Sequence, residues 1–134
     1  QDLNNKKCLD LFAGTGALGF EALSRNAESC TFVENNPSTF QKLIENKENL
    51  KADNAIIKKI HADFFIKNNE ELFDIIFFDP PFVLDNSIQL IEFIRKFLKP
   101  HGVIYFETNI KLPENFLEII KTSRVGKVYF HLVH

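Results

Sequence analysis

Three glycines at the spacing G-x-G-x-x-G, Gly14, Gly16 and Gly19, directly follow a short apolar run of the sequence. Glycines at such positions let a ligand approach the backbone closely where a helix begins. The acid Glu34 closes the next apolar run, and a carboxylate there can accept hydrogen bonds from both hydroxyls of a ribose. The spacing therefore predicts a site for an adenosine-containing ligand, a description that fits nicotinamide dinucleotides and S-adenosylmethionine equally.

Further acids bear on the choice between these two ligands. Asp10 stands near the end of the first apolar run, where its carboxylate would attract the ammonium group of a methionine moiety and repel a pyrophosphate. Asp63 follows the third apolar run and could accept a hydrogen bond from the adenine amino group. Phe64 or Phe65 could flank the adenine, although in a chain with 15 phenylalanines either could belong to the core instead. Asp10 favours S-adenosylmethionine.

A second motif, Asp79, Pro80, Pro81 and Phe82, ends the nearly all-apolar run 73–78. Two prolines cannot continue a central strand because neither offers a backbone N–H. An exocyclic amine of a nucleobase is a poor nucleophile, and two acceptors, the Asp79 carboxylate and the Pro80 carbonyl, could hold its two N–H bonds. Phe82 could stack on the base, which would have to be flipped out of a duplex. The motif predicts transfer to such an amine; the alternative is a rigid turn after a buried strand.

The elements that would position these residues alternate along the chain. Strands are predicted over 8–12, 29–34, 55–61, 73–78 and 103–107, and a terminal hairpin over 122–125 and 127–133. Helices are predicted over 17–25, from Asn36 through Leu50, from Asn86 or Ser87 to Leu98, and over 113–120. Asn26 is expected to take the left-handed conformation that ends the first predicted helix. Residues 99–102 are expected to end the helix that precedes the fifth strand. Repeated strand–helix units predict an α/β fold with a mostly parallel sheet and helices on both faces.

Composition limits the class of protein further. A chain of 134 residues, 45% hydrophobic and 25% charged, predicts one packed domain. No apolar run reaches the roughly 18 residues of a membrane span, and no secretory leader is recognisable, so a cytoplasmic location is expected. Cys8 and Cys30 are expected to be buried hydrophobes rather than a disulfide pair, and no Cys/His cluster has metal-ligand spacing. None of the four histidines is given a role.

The net charge and the first residue of the chain are informative about nucleic-acid binding. A net charge of −2 weighs against strong binding to a nucleic-acid backbone, which usually requires a basic excess. The chain begins at Gln1 and contains no methionine. We therefore expect a longer protein whose remaining segment carries positive charge.

These motifs resemble those of class I S-adenosylmethionine-dependent methyltransferases that modify amino nitrogens. The similar segments are 10–19, 79–82 and 99–102, the last being like that fold's approach to its fifth strand. The longer segments 9–25 and 124–130 are similar to the bacterial 16S ribosomal RNA guanine-N2 methyltransferase family. The resemblance implies a Rossmann-like fold with a seven-stranded sheet ending in a β-hairpin, and S-adenosyl-L-methionine as the cofactor. It implies 16S ribosomal RNA or the assembling small ribosomal subunit as the partner. A monomer is expected because no predicted helix has a spare apolar face.

The resemblance also assigns roles to residues. Along the methionine part of the cofactor it implies Asp10, Phe12, Ala13, Gly14, Thr15 and Gly16. Glu34 and Asn35 would meet the ribose and the adenine edge, and Asp63 would meet the adenine amine. The segment 79–82 would hold the guanine.

Two departures from the family pattern stand out. Asn26 replaces a usual glycine, and the family's basic N-terminal segment is absent. The segment 1–134 is therefore expected to be a single cofactor-binding catalytic domain that binds RNA poorly on its own. An adenine-N6 methyltransferase of DNA or RNA remains an alternative, because the second motif is common to both. A nicotinamide dinucleotide-binding module is another, although it leaves residues 79–82 unexplained.

Overall fold

A computed structural model of the chain describes residues 2–80, 84–108, 119–125 and 128–133. It contains one seven-stranded sheet in the order β3-β2-β1-β4-β5-β7-β6. The strands are β1 Lys7–Leu11, β2 Ser29–Val33, β3 Ala55–Lys58, β4 Phe73–Phe78, β5 Leu98–Thr108, β6 Ile119–Val125 and β7 Val128–Val133. The first five pair in parallel, while β7 pairs antiparallel with both β5 and β6. The predicted mostly parallel sheet with a terminal hairpin is confirmed.

Helices connect the parallel strands. They are α1 Ala17–Ser24, α2 Pro37–Leu50, α3 Ala62–Asn68 and α4 Leu84–Ile94, followed by a short 3-10 helix, Arg95–Phe97. Asn36 caps α2 as its type predicts, because its side-chain oxygen accepts hydrogen bonds from the backbone N–H groups of Ser38 and Thr39. Asn26 adopts the predicted left-handed conformation after α1, with φ of 73°.

The sheet separates two apolar cores, since side chains along a strand alternate between its faces. Cys8 and Cys30 pack with Phe20 of α1 and Leu43 of α2 in one core. Leu9 and Leu11 of β1 belong to the other core, which also contains residues of α3 and α4: Ala62, Phe65, Ile91 and Ile94. The predicted placement of helices on both faces is confirmed, and both cysteines are buried and free.

The position of β1 decides where a ligand can bind. The chain passes from β1 to β2 and β3 on one side and later returns to β4 on the other side of β1. The loops after β1 and β4 therefore diverge, and open α/β sheets bind ligands in the crevice at such a point, beyond the carboxyl ends of the strands.

One helix was absent from the sequence prediction. The predicted third strand, 55–61, ends at Lys58, and α3 begins at Ala62. The segment is helical because it buries Ala62 and Phe65 against the core, where the ring of Phe65 lies edge-on to that of Phe97 at 6.4 Å between centroids.

The elements after β4 also differ from the prediction. Helix α4 begins at Leu84, before the predicted caps Asn86 and Ser87, and ends at Ile94 rather than Leu98. The predicted break at 99–102 lies within β5, since Leu98 already pairs with Phe73 and the register then shifts. A long-range strand pairing therefore overrides the local turn signal.

An ion pair and close backbone packing are found at the shifted part of β5. The Lys99 ammonium lies 3.3 Å from the Asp74 carboxylate. Gly102 packs so closely on the chain that an added Cβ would approach the Lys99 carbonyl oxygen to 2.9 Å. Of the predicted helix 113–120, residues 113–118 lie outside the described residues, whereas Ile119 and Ile120 belong to β6. No helix of the described residues is long and apolar enough to cross a membrane.

Candidate functional site

The loop after β1 is tied to the end of β2. The backbone N–H of Gly14 donates to Oε1 of Glu34 at 2.8 Å, and that of Asn36 donates to Oε2 at 3.0 Å. The N–H of Ala13 donates to the Val33 carbonyl oxygen at 2.9 Å. Glu34 therefore shapes the loop. A carboxylate that accepts two such bonds retains acceptor capacity, so the predicted contact with ribose hydroxyls stays compatible with this role.

Asp10 is a buried acid, 4% exposed, on the central strand. Its Oδ2 accepts a hydrogen bond from the Gly19 N–H at 3.1 Å. Burial raises the pKa of Asp10 to about 8; the Gly19 hydrogen bond opposes this rise, and the charges of Asp79 and Glu34 add to it. A buried carboxyl with a raised pKa in a cleft is characteristic of a functional group, and a cation placed beside it would favour the ionised form.

A first cavity of about 480 Å³ opens above these residues. It is lined by Asp10, Phe12, Ala13, Gly14, Thr15, Ala17, Leu18, Glu34, Thr39 and Asp79. Three of these residues are acids, and none of the described lining residues is a lysine or an arginine. The cavity therefore suits a positively charged ligand and would repel a phosphate.

A second cavity of about 330 Å³ lies beside the first. Phe12 and Glu34 form walls of both cavities, so the two make one continuous cleft along the ends of β1 and β2. The other lining residues are Val33, Asn35, Ile60, His61, Ala62 and Asp63. Phe12 enters the cleft with a positive φ of 65°, a backbone conformation that non-glycine residues seldom adopt and that is often found at functional sites.

Asp79 places the second motif at this cleft. It directly follows β4 and lines the first cavity together with Asp10. Burial raises the pKa of Asp79 above its usual value, although part of the side chain reaches solvent. Pro80 continues from it, whereas Pro81 and Phe82 lie outside the described residues. The structure therefore brings the glycine loop and the start of the second motif together, as the sequence predicts.

Some predicted site residues stand apart from the cleft. Gly16 is the N-cap of α1, with φ of 87°, and its surroundings are the side chains of Leu43 and Phe20, so it shapes the loop without lining either cavity. Phe64 is 58% exposed on α3 and lies outside both cavities, while Phe65 is in the core. Nothing in the described residues places Phe64 against a bound adenine.

Other lining residues were not predicted. Ile60 and His61 line the second cavity, and neither residue was assigned a role from the sequence. Both lie in the short connection between the end of β3 at Lys58 and the start of α3, and this position beyond the carboxyl end of a parallel strand is the signal that could have indicated them. No group of three or more potential metal ligands occurs in the part of the chain that the structure describes.

Two glycines of the G-x-G-x-x-G motif, Gly14 in the loop and Gly19 in α1, should respond differently to the same substitution. A Cβ at Gly19 would overlap the Phe32 ring, whereas a Cβ at Gly14 has no neighbour within 4 Å. We expect Gly19→Ala to lower the free energy of unfolding by about 2–4 kcal/mol, the size of other overpacking and strain effects. Gly14→Ala, strained only by its φ of 58°, should cost about 1 kcal/mol. Urea denaturation of the two variants tests this, and equal losses would contradict it.

Comparison with known proteins bears on this cleft. A sequence model of the family described as Conserved hypothetical protein 95 matches residues 1–134. The chain is 36% identical over 140 residues to ribosomal RNA small subunit methyltransferase D of Haemophilus influenzae, spanning 97% of this chain and 72% of that protein. The chain belongs to the family of ribosomal RNA small subunit methyltransferase D.

Other members agree with that placement. The methyltransferase D of Escherichia coli K12 is 40% identical over 134 residues, which cover 94% of this chain and 67% of the relative. A solved structure of a putative methyltransferase from Escherichia coli superposes with a TM-score of 0.85 at 33% identity, covering 97% of this chain and 77% of that one. Membership in the methyltransferase D family confirms the predicted resemblance, the fold and the enzyme class: the chain is a methyltransferase.

Proposed function

We propose that this enzyme transfers the methyl group of S-adenosylmethionine to the exocyclic N2 amine of a guanine in 16S ribosomal RNA. The observation that carries the proposal is the first cavity, where Asp10, Glu34 and Asp79 meet without a lysine or arginine among the described lining residues. The names of the methyltransferase D relatives support ribosomal RNA of the small subunit as the substrate.

The cleft fits S-adenosylmethionine better than a nicotinamide dinucleotide. That cofactor carries an ammonium and a sulfonium, both cations, and the first cavity offers acids to them. Glu34 at the junction of the cavities would accept the ribose hydroxyls, with Asn35 beside it and Asp63 toward the adenine amine. A pyrophosphate in the first cavity would instead face Asp10 and Asp79.

The reaction would consist mainly of positioning. When bound, S-adenosylmethionine supplies an electrophilic methyl group on sulfur. The Asp79 carboxylate and the Pro80 carbonyl would accept the two N–H bonds of the guanine amine, so that its lone pair points at the methyl carbon. Methyl transfer would form the N–C bond as the C–S bond breaks, and Asp79 or water would then accept one amine proton. Alignment of this kind supplies a large part of a barrier reduction without a strong base.

The setting of the reaction completes the proposal. The chain would act as one cofactor-binding catalytic domain, since a single sheet carries the whole cleft. It would work as a monomer in the cytoplasm, where bacterial ribosomal RNA is found, on 16S RNA or the assembling small subunit. With a net charge of −2, it would rely on a basic segment elsewhere in the protein for tight RNA contact.

Glu34→Ala should weaken binding of S-adenosylhomocysteine by about 10- to 100-fold, because it removes a charged acceptor of the ribose hydroxyls. The same change frees the N–H groups of Gly14 and Asn36, so the loop itself should become less ordered. Glu34→Gln keeps one acceptor oxygen and should fall between the wild type and Glu34→Ala. Calorimetric titration measures all three, with Glu45→Ala on the exposed surface of α2 as the control. Unchanged affinity in Glu34→Ala would remove Glu34 from the cofactor site.

A product analysis tests the proposed function. The protein is incubated with radiolabelled S-adenosylmethionine and unmodified 16S ribosomal RNA, and the RNA is then digested to nucleosides. We expect the label in N2-methylguanosine. Label in N6-methyladenosine alone would show that the target is the other exocyclic amine, and no label in RNA would contradict the proposed substrate.

A further inference from the structure

Glu107 lies beside Asp79 at the carboxyl ends of two neighbouring parallel strands. Phe78 of β4 pairs in register with Phe106 of β5. Continuing that register by one residue sets Asp79 opposite Glu107, with both side chains on the same face of the sheet. Asp79 lines the first cavity with Asp10, so Glu107 stands one strand beyond the cofactor cleft, on the side toward β5.

Tyr105 fixes the orientation of Glu107. Its hydroxyl donates to Oε1 of Glu107 at 3.3 Å, and its ring packs edge-on against Phe77 with centroids 6.1 Å apart. Burial raises the pKa of Glu107 and the charge of Asp79 raises it further, while the Tyr105 hydrogen bond opposes the rise. The two carboxylates are therefore near enough to interact through their charges at a place partly shielded from water.

A guanine held by its N2 amine presents a second donor next to it. The N1–H of guanine adjoins N2 on the same edge of the base, whereas adenine has an unprotonated N1 beside its N6 amine. A carboxylate beside Asp79 would accept the N1–H of guanine and would repel the N1 lone pair of adenine. Among the described residues, Glu107 is the acid that lies beside Asp79 at the end of β5.

We propose that Glu107 selects guanine by accepting its N1–H while Asp79 and Pro80 hold the N2 amine. This inference rests on the proposed function, because it names how the same site chooses its base. Tyr105 is a positioning residue that keeps the Glu107 carboxylate turned toward the base. The second motif alone is common to guanine and adenine targets, and Glu107 supplies the discrimination that the motif lacks.

The Glu107→Gln variant tests the proposal because it keeps the size of the side chain and removes its charge. The amide nitrogen of glutamine can donate to adenine N1, and its oxygen can accept from guanine N1–H, so discrimination should weaken. With unmodified 16S ribosomal RNA as the probe, we expect kcat/KM for guanine to fall about 10- to 100-fold, the effect of losing one good base contact. The share of label recovered in N6-methyladenosine should rise. Affinity for S-adenosylhomocysteine should stay within about twofold, because Glu107 is not among the residues lining the cleft.

Tyr105→Phe keeps the ring contact with Phe77 and removes only the hydrogen bond to Glu107. We expect a smaller fall in kcat/KM, about 3- to 10-fold, with the same shift toward adenine; a purely structural role would leave the ratio of guanine to adenine products unchanged. Glu45→Gln on α2 is the matched control.

The outcomes separate the two proposals. A wild-type protein that labels no guanine overturns the proposed function itself. A wild type that labels guanine, together with a Glu107→Gln variant that does so at the same rate, overturns the base-selecting role alone. The role is also contradicted when the variant loses S-adenosylhomocysteine affinity in proportion to its activity.

Discussion

Asp10→Asn is expected to weaken S-adenosylhomocysteine binding by about 10- to 100-fold while making the protein more stable. The substitution removes the buried carboxylate that would pair with the ammonium of the ligand, and a charge-assisted contact of this kind contributes about 1.5–3 kcal/mol. Asparagine keeps an oxygen that can accept the hydrogen bond that the Gly19 N–H donates to the Asp10 carboxylate. The loss of affinity should therefore arise from charge rather than from a collapsed loop.

The gain in stability follows from the raised pKa. Asp10 titrates at about 8 in the folded protein against an ordinary value of 3.8, so the folded state binds its proton more tightly than the unfolded state. The free energy of unfolding of the wild type consequently falls as the pH rises from about 4 to about 8 and then levels off. Asp10→Asn lacks this loss, and we expect it to be more stable by about 1–3 kcal/mol at pH 8 and nearly equal to the wild type below pH 4.

Affinity for the ligand should show the opposite pH dependence. The ammonium group of the ligand requires the ionised form of Asp10, so wild-type affinity for S-adenosylhomocysteine should rise between pH 6 and pH 8 as a proton is released on binding. Calorimetry in buffers of different ionisation enthalpy measures that proton, and urea denaturation at pH 5 and pH 8 measures the stability. Asp53→Asn, at an exposed turn, is the control. A variant that binds normally and is no more stable at pH 8 would remove Asp10 from both roles.

Asp79→Ala should lower kcat for methyl transfer by about 100- to 1,000-fold with little change in cofactor affinity. The variant loses the carboxylate that would orient the amine, and misplacing a reacting group by a small distance has effects of that size. Cofactor affinity should stay within about threefold, since Asp79 is only one of three acids that line the first cavity. Asp79→Asn keeps one acceptor oxygen and should retain intermediate activity.

Steady-state rates and calorimetry on the same preparations check this prediction. Removing the Asp79 charge should also lower the pKa of Asp10, because that charge contributes to its rise. The proton released on binding S-adenosylhomocysteine should then decrease, which a merely structural role would not produce. Wild-type turnover in Asp79→Ala would take Asp79 out of the mechanism.

The sequence predicted the elements whose pattern is local and regular. Strand β4, a nearly continuous apolar run, was predicted with its observed bounds, 73–78, because a parallel strand buried on both faces needs no alternation. Helix α3 was not predicted, since its seven residues are too few to show a helical period and depend on burial of Phe65 beside Phe97. The early start of β5 depends on the pairing of Leu98 with Phe73, which lies beyond any local window.

The same distinction between local pattern and distant contacts holds for the site. Acids at the ends of β1, β2 and β4 could be identified because carboxyl ends of parallel strands gather at one edge. The close approach of Gly16 to Leu43 depends on a distant helix. The hydrogen bond between Glu34 and the backbone of Gly14 depends on how two loops meet. Glu107 was not singled out, because a lone acid at a strand end carries no signal until Asp79 is seen opposite it.

Calorimetric titration of the chain with S-adenosylhomocysteine, and separately with NAD, is the most direct test of the central claim that the cleft binds S-adenosylmethionine. The acids of the first cavity predict binding of one S-adenosylhomocysteine per chain and no measurable binding of NAD. Binding of NAD without S-adenosylhomocysteine would contradict the account and reduce residues 79–82 to a structural turn.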